Sequence, residues 1–267
     1  MLPPPSDNGA AIITGASSGI GEQIARELAG RGYRLVLVAR RADKLTEVAE
    51  TLGGRAHVIP IDLAKPADRA MLPHEVAALG LVADILVNNA GLATAGPVAE
   101  ADPETELNVV QVDVAAVVDL CCRFLPGMVA RGRGAVLNVA TVGAFGPVPG
   151  QASYGAAKAF VLSYTQAMRE ELRDTGVTAA TLCPGPVRTG FGEAAGIPDE
   201  VAAKSLPKFL WEEADTVARA GIDGLASGRA VIVPGIANRV ASALYQHAPR
   251  TLVLPLIARH HPGLKKS

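Results

Sequence analysis

The strongest constraint on the fold is an alternation that runs the length of the chain. Short apolar runs at 10–14, 34–39, 56–61, 83–87, 135–139, 177–183 and 230–233 are separated by stretches with helical spacing. The first run is too short for a helix and ends in glycines, the mark of a strand entering a loop. After it Ile20, Ile24 and Leu28 recur every four residues with Glu22, Gln23, Arg26 and Glu27 between them, as an amphipathic helix requires. Strand, helix and strand close within about 30 residues, the length of one βαβ unit. Further helices are expected at 45–52, 67–79 with a break or restart near Pro73, 104–130, 151–175 and 213–227. Parallel neighbours need helical crossovers, so the expectation is an α/β chain: a doubly wound parallel sheet (Rossmann fold) of about seven strands with helices on both faces.

Composition fits that sheet. Aromatics are 4% of the 267 residues, so the core is built from Ala, Val, Leu and Ile, as in parallel sheets covered on both faces. Apolar residues reach 49% and the mean hydropathy is +0.26, which argues against disorder. A net charge of −1 gives no reason to expect nucleic acid as a partner. Cys121, Cys122 and Cys183 lack metal-ligand spacing, and no metal site is expected. The N-terminus lacks the basic and apolar regions of a signal peptide, and no apolar run approaches the roughly 20 residues of a membrane span; the expected location is cytoplasmic. With no linker or repeat, one domain is expected at 10–235, after a flexible tail at 1–9 and before a basic, apolar extension at 236–267.

The first loop carries Gly15, Gly19 and Gly21 in a Gly-x3-Gly-x-Gly spacing. Glycine there permits a tight turn and close approach of a pyrophosphate, whose charge sits well on a helix N-terminus. The second strand ends Val38-Ala39-Arg40-Arg41, with no acid until Asp43. A carboxylate at that point suits a ribose 2′-hydroxyl, whereas arginine suits a 2′-phosphate. Arg40, with Arg41 or Ser18 assisting, therefore favours NADP(H) over NAD(H). The alternative is a pair of solvated arginines in a surface turn.

Tyr154 and Lys158 stand four residues apart on an expected helix and so share a face. A free phenol titrates near pH ~10, and an adjacent cation favours its phenolate. The pair reads as a general acid/base whose pKa the lysine lowers, although a tyrosine and lysine at this spacing are more often a solvated face.

Together these motifs resemble the short-chain dehydrogenase/reductase family over about residues 10 to 235, and the loop and length resemble its shorter, reductase-rich branch. Thr14-Gly15-Ala16-Ser17-Ser18-Gly19-Ile20-Gly21 is similar to its cofactor loop, Asn88-Asn89-Ala90-Gly91 to the segment after its fourth strand, Tyr154-x3-Lys158 to its catalytic pair, and Pro184-Gly185-Pro186-Val187-Arg188-Thr189 to the segment after its sixth strand. The resemblance implies that Asp62 and Leu63 meet the adenine and that Asn88 and Ala90 line the adenosine ribose and cofactor cleft. It implies that Lys158 bonds the nicotinamide ribose, that Val187 and Thr189 hold the carboxamide, and that Tyr154 exchanges a proton with a carbonyl or alcohol oxygen. A homodimer or homotetramer through two long helices is implied too.

Two positions depart from the family pattern. Thr141 stands where a substrate-orienting serine is usual and keeps the hydroxyl. Asp113 stands where an asparagine usually supports a water linked to the lysine. Its carboxylate would oppose the effect of Lys158 on Tyr154 and move the pH optimum upward; the expectation leans instead to a role resting on its backbone carbonyl.

The substrate cleft is expected from 92–97, 142–149 and 191–211, through Leu92, Val142, Phe145, Val148, Phe191, Ile197, Leu206, Phe209, Leu210 and Trp211. These favour a mostly apolar ketone, aldehyde or secondary alcohol, with about 190–212 as a lid. Residues 224 to 267 hold Arg229, Arg239, Arg250, Arg259, Lys265 and Lys266 and no acid. Such a tail packs on its own subunit or a neighbour more often than on a membrane surface, which stays open. The rival reading of the whole chain is a dinucleotide-binding sensor or scaffold with weakened catalysis.

Overall fold

The computed structural model describes residues 2–196, 206–260 and 262–264. It contains one parallel sheet of β1 (Gly9–Thr14), β2 (Arg34–Ala39), β3 (Ala56–Pro60), β4 (Val82–Asn88), β5 (Gly134–Val139), β6 (Val177–Leu182) and β7 (Val231–Ile232). Their spatial order is β3-β2-β1-β4-β5-β6-β7. The order reverses between β1 and β4, and in open α/β sheets such a reversal leaves a crevice beyond the strand C-termini.

Side-chain alternation splits the core into two layers. Ile12, Val36, Val38 and Val136 face α3 (Pro66–Ala78), α5 (Ala116–Ala130) and α6 (Ala152–Glu171), where Leu72, Leu120 and Val161 meet them. Ile13, Leu35, Leu37 and Leu137 face the opposite way, onto Leu28 of α1 (Gly19–Gly30), Leu45 of α2 (Ala42–Glu50) and Ile222 of α7 (Ala214–Ala226). Each strand is buried on both faces, as its apolar run requires.

Two expectations change and a third gains detail. The helix expected at 104–130 is α4 (Pro103–Val110), a π-helical turn (Gln111–Ala115) and α5 in succession. Asp102 caps its start, accepting from Thr105 N at 2.9 Å. Val112 and Asp113 within the π turn are both buried, in one stripe with Val109 before it and Ala116 and Val117 after it. The N-terminal segment is pinned rather than loose. Tyr33 and Arg133 donate to the carbonyls of Pro3 and Pro4, each at 2.7 Å, and Val82 N donates to Asn8 O at 2.8 Å. The extension after β7 folds as α8 (Ile236–His247) and α9 (Arg250–His260), and α8 packs by donating from Asn238 Nδ2 to Leu210 O at 2.9 Å.

Candidate active site

A cavity of about 940 Å³ opens at the crevice between β1 and β4. The first wall comes from the loop between β1 and α1. Gly15 (φ 64°) and Gly19 (φ 60°) occupy left-handed backbone that a side chain would strain, and a Cβ on Gly15 would lie 2.8 Å from Ala90 Cα. Ser17, Ser18 and Ile20 complete this wall, with the first turn of α1 open to the cavity. Asn89 ties the loop to β4 by donating to Thr14 O (2.9 Å) and Gly15 O (3.2 Å). Thr14 Oγ1 accepts from the Asn89 and Ala90 amides, each at 3.0 Å. A strand-end threonine directly before the glycine loop was the signal for this latch, and sequence reasoning passed over its role.

Arg40, Arg41, Asp62 and Leu63 line the adjoining end. Arg40 and Arg41 are exposed, and Arg41 donates to Ser17 Oγ at 3.3 Å. Asp62 accepts from Ala64 N at 3.1 Å, and buried Arg69 holds Leu63 O at 2.6 Å while pairing with Asp119 at 2.9 Å. Ala90, Gly91, Pro184, Gly185, Val187 and Thr189 continue the cavity toward its centre. A glycine cradle that a Cβ would fill, a helix N-terminus and two arginines fit an elongated polyanion of dinucleotide size.

Two residues expected at this wall do other work. Gly21 does not line the cavity; a Cβ there would lie 2.4 Å from both Asn89 Nδ2 and Gly15 O, so its bare backbone lets α1 pack against the loop. Asn88 is turned away as well. It pairs in register with Asn138 across β4 and β5, so both amides face α5 and α6. Asn88 Nδ2 donates to Asn138 Oδ1, and Asn138 Nδ2 donates to Thr165 Oγ1, each at 2.8 Å.

The chemistry-bearing side chains meet at the cavity centre. Tyr154 and Lys158 lie on α6 one turn apart, with the ammonium 5.7 Å from the phenol ring centroid. Lys158 Nζ donates to Val139 O at 3.1 Å and pairs with Asp113 Oδ2 at 2.9 Å. Asp113 is fully buried, and its other oxygen accepts from Leu92 N at 2.7 Å. The side chain of Asp113 thus contacts the lysine directly, against the expectation of a backbone role. Asp113 does not itself line the cavity, so it acts through Lys158.

Burial pushes the Asp113 carboxyl above its usual range, against the pull of Lys158 and the Leu92 amide. Burial works against the Lys158 ammonium, but Asp113 and Tyr154 outweigh it and raise its pKa. For Tyr154 the dry surroundings dominate and raise the phenol pKa; Lys158 lowers it, Asp113 raises it, and the Thr141 hydroxyl beside it lowers it. The expected net lowering of Tyr154 is therefore not found. A phenol that stays protonated at neutral pH is a proton donor first.

Thr141, at the end of β5, lines the cavity and donates to Pro184 O at 3.3 Å. The ring of Phe191 stands 5.8 Å from that of Tyr154. On the substrate side Leu92, Val142, Phe191, Leu206 and Trp211 line the cavity, joined by Val112, Gln151 and Ile257, which sequence reasoning missed. Val112 reads as one more member of the apolar stripe Val109, Val112, Ala116 and Val117, and Ile257 is hidden by its distance along the chain. Phe145 instead packs against the core, Val148 against Gly143 and Gly155, and Phe209 is exposed; Leu210 does not reach the cavity. The expected lid ends against the segment after β6, where Glu212 N donates to Pro186 O at 3.0 Å. Its middle, with Ile197, lies outside the described residues.

No group of three or more potential metal ligands occurs among the described residues, and no helix among them is long and apolar enough to cross a membrane.

A switch-point crevice that joins a glycine loop to a tyrosine, a lysine and a threonine hydroxyl defines an α/β oxidoreductase. The chain matches the short chain dehydrogenase family over residues 9–198 and belongs to it. It is 38% identical over 189 residues to the granaticin polyketide synthase putative ketoacyl reductase 1 of Streptomyces violaceoruber, covering 68% of this chain and 69% of that one. It is 34% identical over 199 residues to sulfoacetaldehyde reductase 2 of Chromohalobacter salexigens, covering 73% and 79%. A short-chain dehydrogenase from Sphingobium yanoikuyae, solved in complex with NADPH, superposes with a TM-score of 0.78 at 30% identity, covering 94% of this chain and 93% of that one.

Proposed function

We propose that this protein is an NADP(H)-dependent reductase of a mostly apolar ketone or aldehyde, with alcohol oxidation as the reverse reaction. The observation that carries the reading is the placement of the Tyr154 phenol, the Thr141 hydroxyl and the Lys158–Asp113 pair in one cavity with the glycine loop. When bound, the dinucleotide supplies or accepts hydride. NADP(H) is supported by Arg41 beside Ser17 with Arg40 on the same cavity wall, by the absence of an acid between the end of β2 and Asp43, and by the NADPH complex of the Sphingobium relative. The names of the two reductase relatives support the carbonyl as substrate.

Tyr154 donates its proton to the carbonyl oxygen during reduction, and its raised pKa keeps that proton in place at neutral pH. Thr141 orients the same oxygen once its hydroxyl turns from the long bond to Pro184 O. Lys158 donates to Val139 O and pairs with Asp113, which fixes the ammonium where it would meet the cofactor ribose. Leu92, Val142, Phe191 and Trp211 exclude water from the reacting oxygen. Leu107 and Val110 on α4 and Phe160 on α6 are exposed, which supports the homo-oligomer implied by the family.

The test is oxidation of NADPH, with NADH in parallel, against a panel of apolar ketones, aldehydes and quinones. Turnover with NADPH preferred supports the reading; cofactor binding without turnover across the panel would make the protein a sensor or scaffold instead.

A further inference from the structure

Helix α8 is packed inside out. Its buried members are Asn238 and Ser242, while Ile236, Val240 and Leu244 are 78%, 55% and 68% exposed. Their spacing of four residues sets these three in one stripe on the outer face. A surface helix with no partner is arranged the other way, apolar residues inward. The stripe does not stand alone. Leu252 on α9 is 72% exposed, as is Phe209 at 71%, on the turn that Asn238 holds through Leu210 O.

Charge says what covers this face. Between residues 224 and 267 there are six lysines and arginines and no acid. Arg239, Arg250 and Arg259 are exposed on the same two helices as the stripe. A second copy docked face to face would bring two such basic surfaces together and repel. An anionic lipid surface offers what both halves of the pattern need, a polar layer of phosphates for the arginines and an acyl boundary for the apolar side chains.

We propose that α8 and α9 form a docking face for an anionic lipid surface, with Ile236, Val240 and Leu244 entering the headgroup boundary and Arg239 and Arg250 on lipid phosphates. Helix α9 also gives Ile257 to the cavity wall, so the docked protein holds its cavity beside the lipid phase.

The test is flotation of the full-length protein with vesicles of phosphatidylcholine alone and of phosphatidylcholine mixed with phosphatidylglycerol, at low and high salt. The protein is expected to float with the mixed vesicles at low salt only. Two variants, Ile236→Ser/Val240→Ser/Leu244→Ser and Arg239→Glu/Arg250→Glu, are each expected to lower the floated fraction by about tenfold or more with Tm unchanged. All five positions are exposed, so neither variant disturbs the core. Sedimentation velocity on the same samples identifies the other occupant. Wild-type protein that stays with the bulk solution, or floats equally on neutral vesicles, overturns the proposal. So does a triple variant that sediments as a smaller assembly than wild type, which would assign the face to a second copy.

Discussion

Two buried polar clusters hang from helix α6 two turns apart, and they differ in charge. Near the cavity, Lys158 pairs with Asp113 at 2.9 Å; deeper in, Asn88, Asn138 and Thr165 form a neutral chain of hydrogen bonds. The neutral chain ties β4 and β5 to α6, and the charged pair ties β5 and the segment after β4 to the same helix, so either could hold the fold. Removing charges from water costs several kcal/mol per ion, and a buried ion pair is often no more stabilising than well-packed apolar residues. Amides do the same bridging without that penalty. On the proposed function the difference has a reason: the charged cluster sets an ammonium against the phenol that does the chemistry, and the neutral one serves the architecture.

Breaking the charged cluster on one side gives the largest effect. Lys158→Met removes the group that steadies the phenolate and strands a buried carboxylate. Turnover is expected to fall by roughly 10²- to 10⁴-fold, and urea denaturation to show a loss of about 3–5 kcal/mol. Adding Asp113→Leu should restore most of the stability and none of the turnover. Recovery of both would mean that the pair is structural.

The neutral cluster should respond in the opposite sense. Asn138→Ala leaves the Asn88 amide and the Thr165 hydroxyl short of a partner. The expected cost is about 1–3 kcal/mol in urea denaturation, with kcat changed only a few-fold. A loss of turnover as large as that of Lys158→Met, at unchanged stability, would erase the distinction between the clusters.

The smallest expected effect is the most specific. Asp113→Asn keeps an oxygen acceptor for Leu92 N and removes the charge. Because Asp113 raises the Tyr154 pKa, its removal lowers that pKa. The basic limb of carbonyl reduction, which needs the phenol, then moves to lower pH. The acidic limb of alcohol oxidation, which needs the phenolate, moves the same way. The pH dependence of kcat/KM in the two directions measures it, and an unmoved profile would show that the carboxylate does not act on Tyr154.

How far the sequence discloses these clusters follows from what a pattern can encode. The glycine loop and the sheet are legible because backbone conformation and burial on both faces restrict residue type directly, as at Gly15 and in the apolar run of β2. Tyr154 and Lys158 are legible because helical spacing fixes their shared face. The side chain of Asp113 is not, since helical spacing sets it in one buried stripe with Val109, Ala116 and Val117 but carries no sign that its carboxylate meets Lys158 on another helix. Asn88 was open to a closer reading. Val87 and Asn88 point to opposite faces of β4, so a residue two after Leu86 joins Leu86 on the α5 and α6 side. The helices of the extension escape a pattern search because α8 buries its polar residues.

The central claim is that Tyr154 is the proton donor in NADPH-dependent carbonyl reduction, and one comparison tests it most directly. Wild-type protein and Tyr154→Phe are assayed for NADPH binding by fluorescence and for single-turnover oxidation of NADPH by a ketone that the wild type reduces. The account predicts equal cofactor affinity and a loss of roughly 10²- to 10⁴-fold in the rate of turnover. A Tyr154→Phe protein that reduces the ketone at the wild-type rate would contradict it.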